Sequence, residues 1–70
     1  MNTEKMEVMS SVLANVEYNK KNKLLFITFK SGKTYIYYNV PEEVWKAFKD
    51  AESKGKFFNT YIKGRFSTEQ

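Results

Sequence analysis

Five lysines and no acidic residue lie between Tyr18 and Tyr38, and aromatic side chains are interspersed among them. Lysine ammonium groups attract phosphates and aromatic rings stack on bases, so the combination is typical of a surface that binds single-stranded nucleic acid. The chain's single arginine argues against this, because arginine is best suited to bidentate phosphate and base contacts. The predicted site residues are Lys20, Lys21, Lys23, Lys30 and Lys33 for phosphates, with Phe26 and Tyr38 for bases.

The composition excludes most catalytic and metal-binding chemistry. The 70-residue chain has no His and no Cys, which removes disulfides, thiolate metal sites and nucleophiles that depend on a His base. Glu42 and Glu43 are adjacent, so on a helix they would project about 100° apart and could not form a carboxylate pair. We therefore expect a protein that is not an enzyme and that uses no metal and no cofactor.

The net charge of +4 is unevenly distributed. A second basic segment, residues 53–66, has four basic side chains and no acidic one. Lysine also solvates ordinary turns, so the alternative that the basic residues are plain surface stays open. The polar N-terminus is unlike a signal peptide, and no apolar run approaches the roughly 20 residues of a membrane span. We expect a cytoplasmic domain without membrane contact.

Three short segments have the composition of strands. Residues 12–18 alternate between apolar and polar side chains, which predicts a strand with one buried face. Residues 24–29 are apolar on both faces and indicate a central strand, whereas residues 34–38 are β-branched or aromatic throughout. The side chains predicted on the buried face of the first strand are Val12, Ala14, Val16 and Tyr18.

The turn after the central strand decides which face the tyrosines occupy. A two-residue turn at Ser31 and Gly32 would place Ile27 opposite Ile36, whereas a three-residue loop with a left-handed Gly32 places Ile27 opposite Tyr35. We prefer the longer loop, because the shorter turn would put Ser31 at a positive φ, where Asn or Asp is better suited. The helix-facing side would then carry Leu25, Ile27, Phe29, Tyr35 and Tyr37.

Two helices are predicted after the strands. Pro41 at the first helical position, followed by two glutamates, indicates a helix start. Trp45 and Phe48 belong to an apolar stripe that we expect to pack on the sheet. Gly55 predicts the end of this helix, and residues 56–63 have the spacing of a second, short one.

The predicted fold is therefore α+β: a three-stranded antiparallel β-meander followed by one good helix and one short helix. Residues 1–10 carry no periodic pattern and are predicted to be a flexible N-terminal arm. Residues 11–66 form a single domain, and residues 67–70 are a tail.

Several short motifs follow one another in a definite order. They are Leu25-x-Ile27-x-Phe29, Gly32, Tyr35-x-Tyr37, Val40-Pro41, Ala51-x-Ser53-x-Gly55, Phe58-Asn59 and Ile62-Lys63. This combination resembles the KTSC domain family, which is named for the C-terminus of some lysyl-tRNA synthetases and also occurs as small bacterial or phage proteins. The resemblance covers nearly the whole domain, from about Ser11 to Phe66. It implies a module of unestablished function for which RNA binding is suggested, with Tyr35 and Tyr37 as its Y-x-Y motif.

Two functional interpretations remain open. In the first, the domain binds RNA or another single-stranded nucleic acid through its basic turns and sheet aromatics. In the second, it binds a protein partner through a free sheet edge or an exposed sheet face that carries Phe26, Ile36 and Tyr38. The second interpretation weakens if the N-terminal arm covers that face.

Overall fold

The computed structural model describes residues 3–69, in which five antiparallel strands form one sheet in chain order. Each strand pairs with its neighbours in sequence, and the helices cover the face that holds the core. This confirms the α+β class and the three predicted strands, to which two edge strands are added. The elements are β1 Thr3–Glu7, β2 Leu13–Asn19, β3 Leu24–Phe29, β4 Thr34–Tyr37, α1 Glu42–Asp50, α2 Lys54–Phe57, a π-helical turn Phe58–Ile62 and β5 Thr68–Glu69.

The N-terminal segment forms an edge strand. β1 runs antiparallel to β2 with Met6 opposite Val16, and the Met6 side chain packs against the core. The prediction of a flexible arm is therefore wrong for Thr3–Glu7, while Met1 and Asn2 lie outside the described residues. The sequence pattern does not predict this strand, because its alternate side chains are charged or polar and only one face of an edge strand contacts the core.

A β-bulge at Ala14 changes the buried face of β2. The register with β3 shifts between Leu13 and Asn15, so Ala14 is an extra residue in the strand. Leu13 is consequently fully buried on the same side as Val16, and Val12 is 52% exposed. The predicted burial of Val12 is wrong, because the bulge reverses the alternation that the sequence pattern assumes.

The β3–β4 turn has the predicted three-residue form. Gly32 has a φ of +99°, and its N–H donates to the Phe29 carbonyl at 2.9 Å. The Phe29 N–H in turn donates to the Lys33 carbonyl at 2.8 Å. Ile27 lies opposite Tyr35, which confirms the preferred register and places both motif tyrosines on the helix-facing side.

The first helix confirms one prediction and corrects another. Trp45 and Phe48 on α1 are fully buried, as the apolar stripe predicted. The helix ends at Asp50, however, and Gly55 lies inside α2 rather than at a helix end. Ser53 is the reason, because its hydroxyl accepts the Lys56 N–H at 3.3 Å and caps a new helix just before the glycine.

The second predicted helix is continuous but changes type along its length. α2 leads directly into the π-helical turn, where the Lys63 N–H donates to the Phe58 carbonyl at 2.8 Å, five residues earlier. After the turn, Phe66 packs against the core. Thr68 then pairs with Tyr37, so the predicted tail contributes β5, and Gln70 lies outside the described residues.

One hydrophobic core holds these elements together. The Tyr18 ring stacks on Trp45 with centroids 5.4 Å apart, and the Tyr18 hydroxyl donates to the Val40 carbonyl at 2.6 Å. No helix in residues 3–69 combines the length and the apolar composition needed to cross a membrane. The buried core consists of Val8, Leu13, Val16, Tyr18, Leu25, Ile27, Tyr37, Val40, Trp45, Phe48, Phe58 and Ile62.

Candidate functional site

A cleft of about 640 Å³ opens between the β3–β4 turn and the π-helical turn. Among the described residues, its rim carries three lysines from two distant segments of the chain and no acidic side chain. We call it the basic cleft. Its lining residues are Ser11, Val12, Phe29, Lys30, Ser31, Lys33, Tyr35, Tyr37, Phe58, Asn59 and Lys63.

Four aromatic rings form one wall of the basic cleft. Phe29 meets Tyr35 edge to face at 5.2 Å and Phe58 at 5.5 Å, and Phe58 meets Tyr37 at 5.8 Å. Tyr37 and Phe58 are 4% and 5% exposed, so they are the rigid base of the wall. Phe29 and Tyr35 are half-buried and leave part of their ring surface accessible.

Two turns of the backbone, one on each side of the basic cleft, bring its lining residues together. The three-residue turn centred on Ser31 presents Lys30 and Lys33 beside the tyrosine-bearing strand. The π-helical turn presents Asn59 and Lys63 from the other side, next to the buried Phe58. π-helical turns are rare and are often found at functional sites, because the wider turn changes where side chains point.

Within residues 3–68, no ion pair with an acidic side chain involves the lysines of the basic cleft. In the described part of the chain, the ion pairs join Glu4 to Lys20 and Lys49, and Glu42 to Lys20 and Lys46. Lys30, Lys33 and Lys63 take part in none of them, and the cleft therefore keeps its positive charge. The paired charges surround the β2–β3 turn, at the other end of β3.

The Tyr37 hydroxyl remains neutral at ordinary pH. Burial raises the pKa of the Tyr37 hydroxyl, and a hydrogen bond with the Thr68 side chain opposes part of that increase. A neutral phenol can donate a hydrogen bond to a phosphate or a base. Within residues 3–69, no cluster of three or more His, Cys, Asp or Glu side chains is placed to hold a metal ion.

The predicted lysines lie in two separate groups: Lys20, Lys21 and Lys23 belong to the β2–β3 turn, and Lys30 and Lys33 to the β3–β4 turn. They lie at opposite ends of β3, because the turns of a meander alternate between the ends of a sheet. Lys20 lies 3.6 Å from Glu4 and 3.8 Å from Glu42, which neutralises much of its charge. Lys23 has a φ of +56°, and its carbonyl accepts the Val40 N–H, so its backbone has a structural role. Lys21 is exposed.

The predicted aromatic contacts, Phe26 and Tyr38, lie on the outer face of the sheet and are half-buried, as is Ile36. Glu17 lies directly opposite Phe26, so this face also carries an acidic side chain beside its aromatic strip. The strand Thr3–Glu7 extends the sheet at its edge, and its Met6 packs on the core side rather than on this face. The assignment of Phe26 and Tyr38 to a binding site stays a prediction.

Seven cleft residues were absent from the site predicted from the sequence: Ser11, Val12, Phe29, Ser31, Phe58, Asn59 and Lys63. Two signals pointed toward part of this set, namely the second basic segment and the Phe58-Asn59 motif. Neither signal indicates that the segment lies beside the β3–β4 turn, because that neighbourhood exists only after the sheet and helices have packed.

The chain matches the KTSC domain family over residues 9–66. The protein belongs to this family. It is 43% identical over 60 residues to the lysine–tRNA ligase of Nostoc punctiforme, spanning 86% of this chain but only 11% of the ligase. It is also 41% identical to a small protein of Tsukamurella paurometabola, with 84% of this chain and 88% of that protein covered.

A solved KTSC domain has the same fold. The crystal structure of the Yersinia pestis KTSC domain protein superposes with a TM-score of 0.91 at 37% identity, over 97% of this chain and 96% of that one. The family resemblance expected from the sequence is thereby confirmed. The tyrosines of the Y-x-Y motif both line the basic cleft, as do Phe58, Asn59 and Lys63 from the later motifs.

Proposed function

We propose that this KTSC domain is a non-catalytic module that binds single-stranded nucleic acid, RNA above all, in the basic cleft. The observation that carries the proposal is the concave juxtaposition of three lysines and no acid with partly exposed aromatic rings. The similarity to lysine–tRNA ligases, which act on an RNA, supports RNA as the ligand. The cleft volume of about 640 Å³ is within the range of small-molecule and nucleotide pockets.

Each part of the cleft has a distinct role in this proposal. Lys30, Lys33 and Lys63 contact the phosphates, and their counterion release makes binding depend on salt. A base stacks on the accessible surface of Tyr35 or Phe29, which contributes about 1–3 kcal/mol without sequence preference. The buried rings behind them hold this platform in place.

The basic cleft is a stronger candidate than the outer face of the sheet. Lys20, from the predicted outer site, is paired with two acids, and Glu17 lies beside Phe26. The lysines of the cleft are unpaired with carboxylates in the described chain, and a concave wall surrounds a base better than an open sheet does.

The test compares two double variants, each of which replaces two lysines by glutamates and so changes the net charge of the protein by the same amount. Lys33→Glu with Lys63→Glu alters the basic cleft, and Lys21→Glu with Lys46→Glu alters exposed lysines near the other end of β3. Fluorescence anisotropy measures the affinity for a short labelled oligoribonucleotide and for its deoxyribonucleotide counterpart. With about three phosphate contacts to a single strand, wild-type affinity should fall roughly twentyfold between about 50 and about 200 mM salt.

The cleft variant should lose most of its affinity and salt dependence, while the control variant keeps both. Thermal melting verifies that both variants are folded. Equal losses in the two variants would show that only overall charge matters and would contradict the assignment of the cleft. No binding by the wild type at about 50 mM salt would overturn the proposed function.

A protein partner is the second candidate function, favoured by exposed apolar side chains near the cleft. Met9 and Val12 are 103% and 52% exposed and lie on the same loop. A protein interface that buries them would change little with salt, because apolar burial releases no counterions.

A further inference from the structure

A second cleft, of about 520 Å³, adjoins the basic cleft. The two share three lining residues, Ser11, Val12 and Asn59, so they are direct neighbours on the surface. The second cleft continues from Asn59 toward α2, where Lys56 lines it. A ligand too large for the basic cleft alone would extend along this path.

We infer that the second cleft is a subsite for the next nucleotide, so that one strand contacts Lys33 in the basic cleft and Lys56 beyond Asn59. This inference rests on the proposed function, because it concerns the length of strand bound at the same site. It assigns Lys56 to a phosphate and places Asn59 beside the nucleotide that joins the two subsites.

Lys56 is the available cation of the second cleft. The neighbouring Lys54 ammonium donates to the Ala51 carbonyl, so it is already engaged in closing the end of α1. Lys56 is exposed and forms no ion pair in the described chain, and its backbone N–H is held by the Ser53 hydroxyl. Glu52 also lines the cleft, which reduces its positive potential and limits the subsite to a single phosphate.

The wall of the second cleft is preformed. The Ser10 hydroxyl accepts the N–H groups of Val12 and Leu13, at 3.1 and 3.3 Å, and so fixes the loop before β2. A Cβ at Gly55 would lie 3.2 Å from the same hydroxyl, so the glycine allows this loop to approach α2 closely. The second cleft therefore requires little ordering before a strand binds.

The experiment measures binding of uridine oligonucleotides of increasing length, from the mononucleotide to the tetranucleotide, by NMR titration of the full chain. Wild-type affinity should rise roughly tenfold when the second nucleotide is added, as expected for one more phosphate contact and base contact. Lys56→Glu should leave the affinity for the mononucleotide unchanged and remove most of the gain with length. Lys33→Glu should weaken every length, and Lys46→Glu, in the exposed part of α1, is the charge-matched control.

Amide signals give a second measurement on the wild type. Those of Ser11 and Asn59 should shift with every ligand, and that of Lys56 only from the dinucleotide onward. The inference is overturned if Lys56→Glu affects no length, or if it weakens the mononucleotide as strongly as the tetranucleotide, while Lys33→Glu still weakens binding of every length. Failure of the wild type to bind any length would instead overturn the proposed function. If an acidic peptide bound as tightly as an oligonucleotide of the same charge, both the inference and the proposed function would be overturned, because the two clefts would then recognise charge alone.

Discussion

Two residues with left-handed backbone lie where the β2–β3 turn meets the start of α1. Lys23 and Asn39 both adopt left-handed backbone, with φ of +56° and +58°. Such conformations cost free energy in residues other than glycine, and persist where surrounding contacts enforce them. Here Val40 supplies those contacts, because its N–H donates to the Lys23 carbonyl and its carbonyl accepts the Tyr18 hydroxyl.

Gly32 is the residue on which the geometry of the basic cleft most directly depends. Its φ of +99° strains any residue with a Cβ, although no heavy atom of the described chain, other than its own and those of its two chain neighbours, lies within 4 Å of the place where that Cβ would be. Gly32→Ala should therefore destabilise the domain by about 1 kcal/mol or more through backbone strain alone. Chemical denaturation measures the change. The exposed neighbour Ser31→Ala is the control, and a stabilising effect of Gly32→Ala would mean that the turn has another conformation.

At the scale of elements, side chains attach the edge strand β1 to α1. The Glu4 carboxylate accepts the Trp45 indole N–H at 2.9 Å and lies 3.2 Å from the Lys49 ammonium. Lys20 approaches the same carboxylate from the β2–β3 turn. These contacts explain how a short and mostly polar strand is held at the edge of the sheet.

The contact between β1 and α1 should respond to acid. The hydrogen bond from Trp45, then that from Lys49, lowers the pKa of Glu4 below its ordinary value of 4.5. The stabilisation is therefore complete above that value and is lost as the pH falls through the lower, folded-state pKa. The indole N–H signal of Trp45 in NMR spectra should shift with a midpoint below 4.5.

Glu4→Gln is the control for this titration, because the amide keeps the shape of the side chain and cannot ionise. The acid-induced shift of the indole signal should disappear in that variant. A midpoint at or above the ordinary pKa of a glutamate, or the same titration in Glu4→Gln, would contradict the assignment.

For the whole molecule, one core supports both the sheet and the site. Phe48 is fully buried, packs edge to face on Trp45 at 6.3 Å and stacks on Phe57 at 5.1 Å. Phe48→Ala should cost about 3–5 kcal/mol, which approaches the entire stability of so small a domain. The variant should unfold at or near room temperature by circular dichroism. The exposed neighbour Ala47→Ser should change little, and a Phe48→Ala midpoint within a few degrees of the wild type would contradict this packing.

The whole molecule is also electrostatically asymmetric. Glu4 and Glu42 form ion pairs with Lys20, Lys46 and Lys49, while the lysines around the basic cleft have no such partner in the described chain. Surface pairs of this kind contribute little to stability, yet they determine where net positive potential remains.

Much of the fold could be predicted from local pattern. The apolar run of β3, the turn at Gly32 and the buried stripe of α1 each reflect interactions within a few residues. The register of β3 and β4 followed from the conformations available to a serine and a glycine in a tight turn. These features are visible in the sequence because side-chain periodicity and backbone preference are local properties.

The candidate site was only partly predictable, because it depends on contacts between distant segments. The sequence by itself determined the strand composition, the β3–β4 register, the buried helix face and the family. Only the tertiary structure decided that β1 joins the sheet, that the bulge at Ala14 buries Leu13, and that Lys63 and Lys33 line the same cleft. The physical reason is that periodicity describes one element at a time, whereas a bulge, a polar edge strand and a shared cleft arise when several elements pack together.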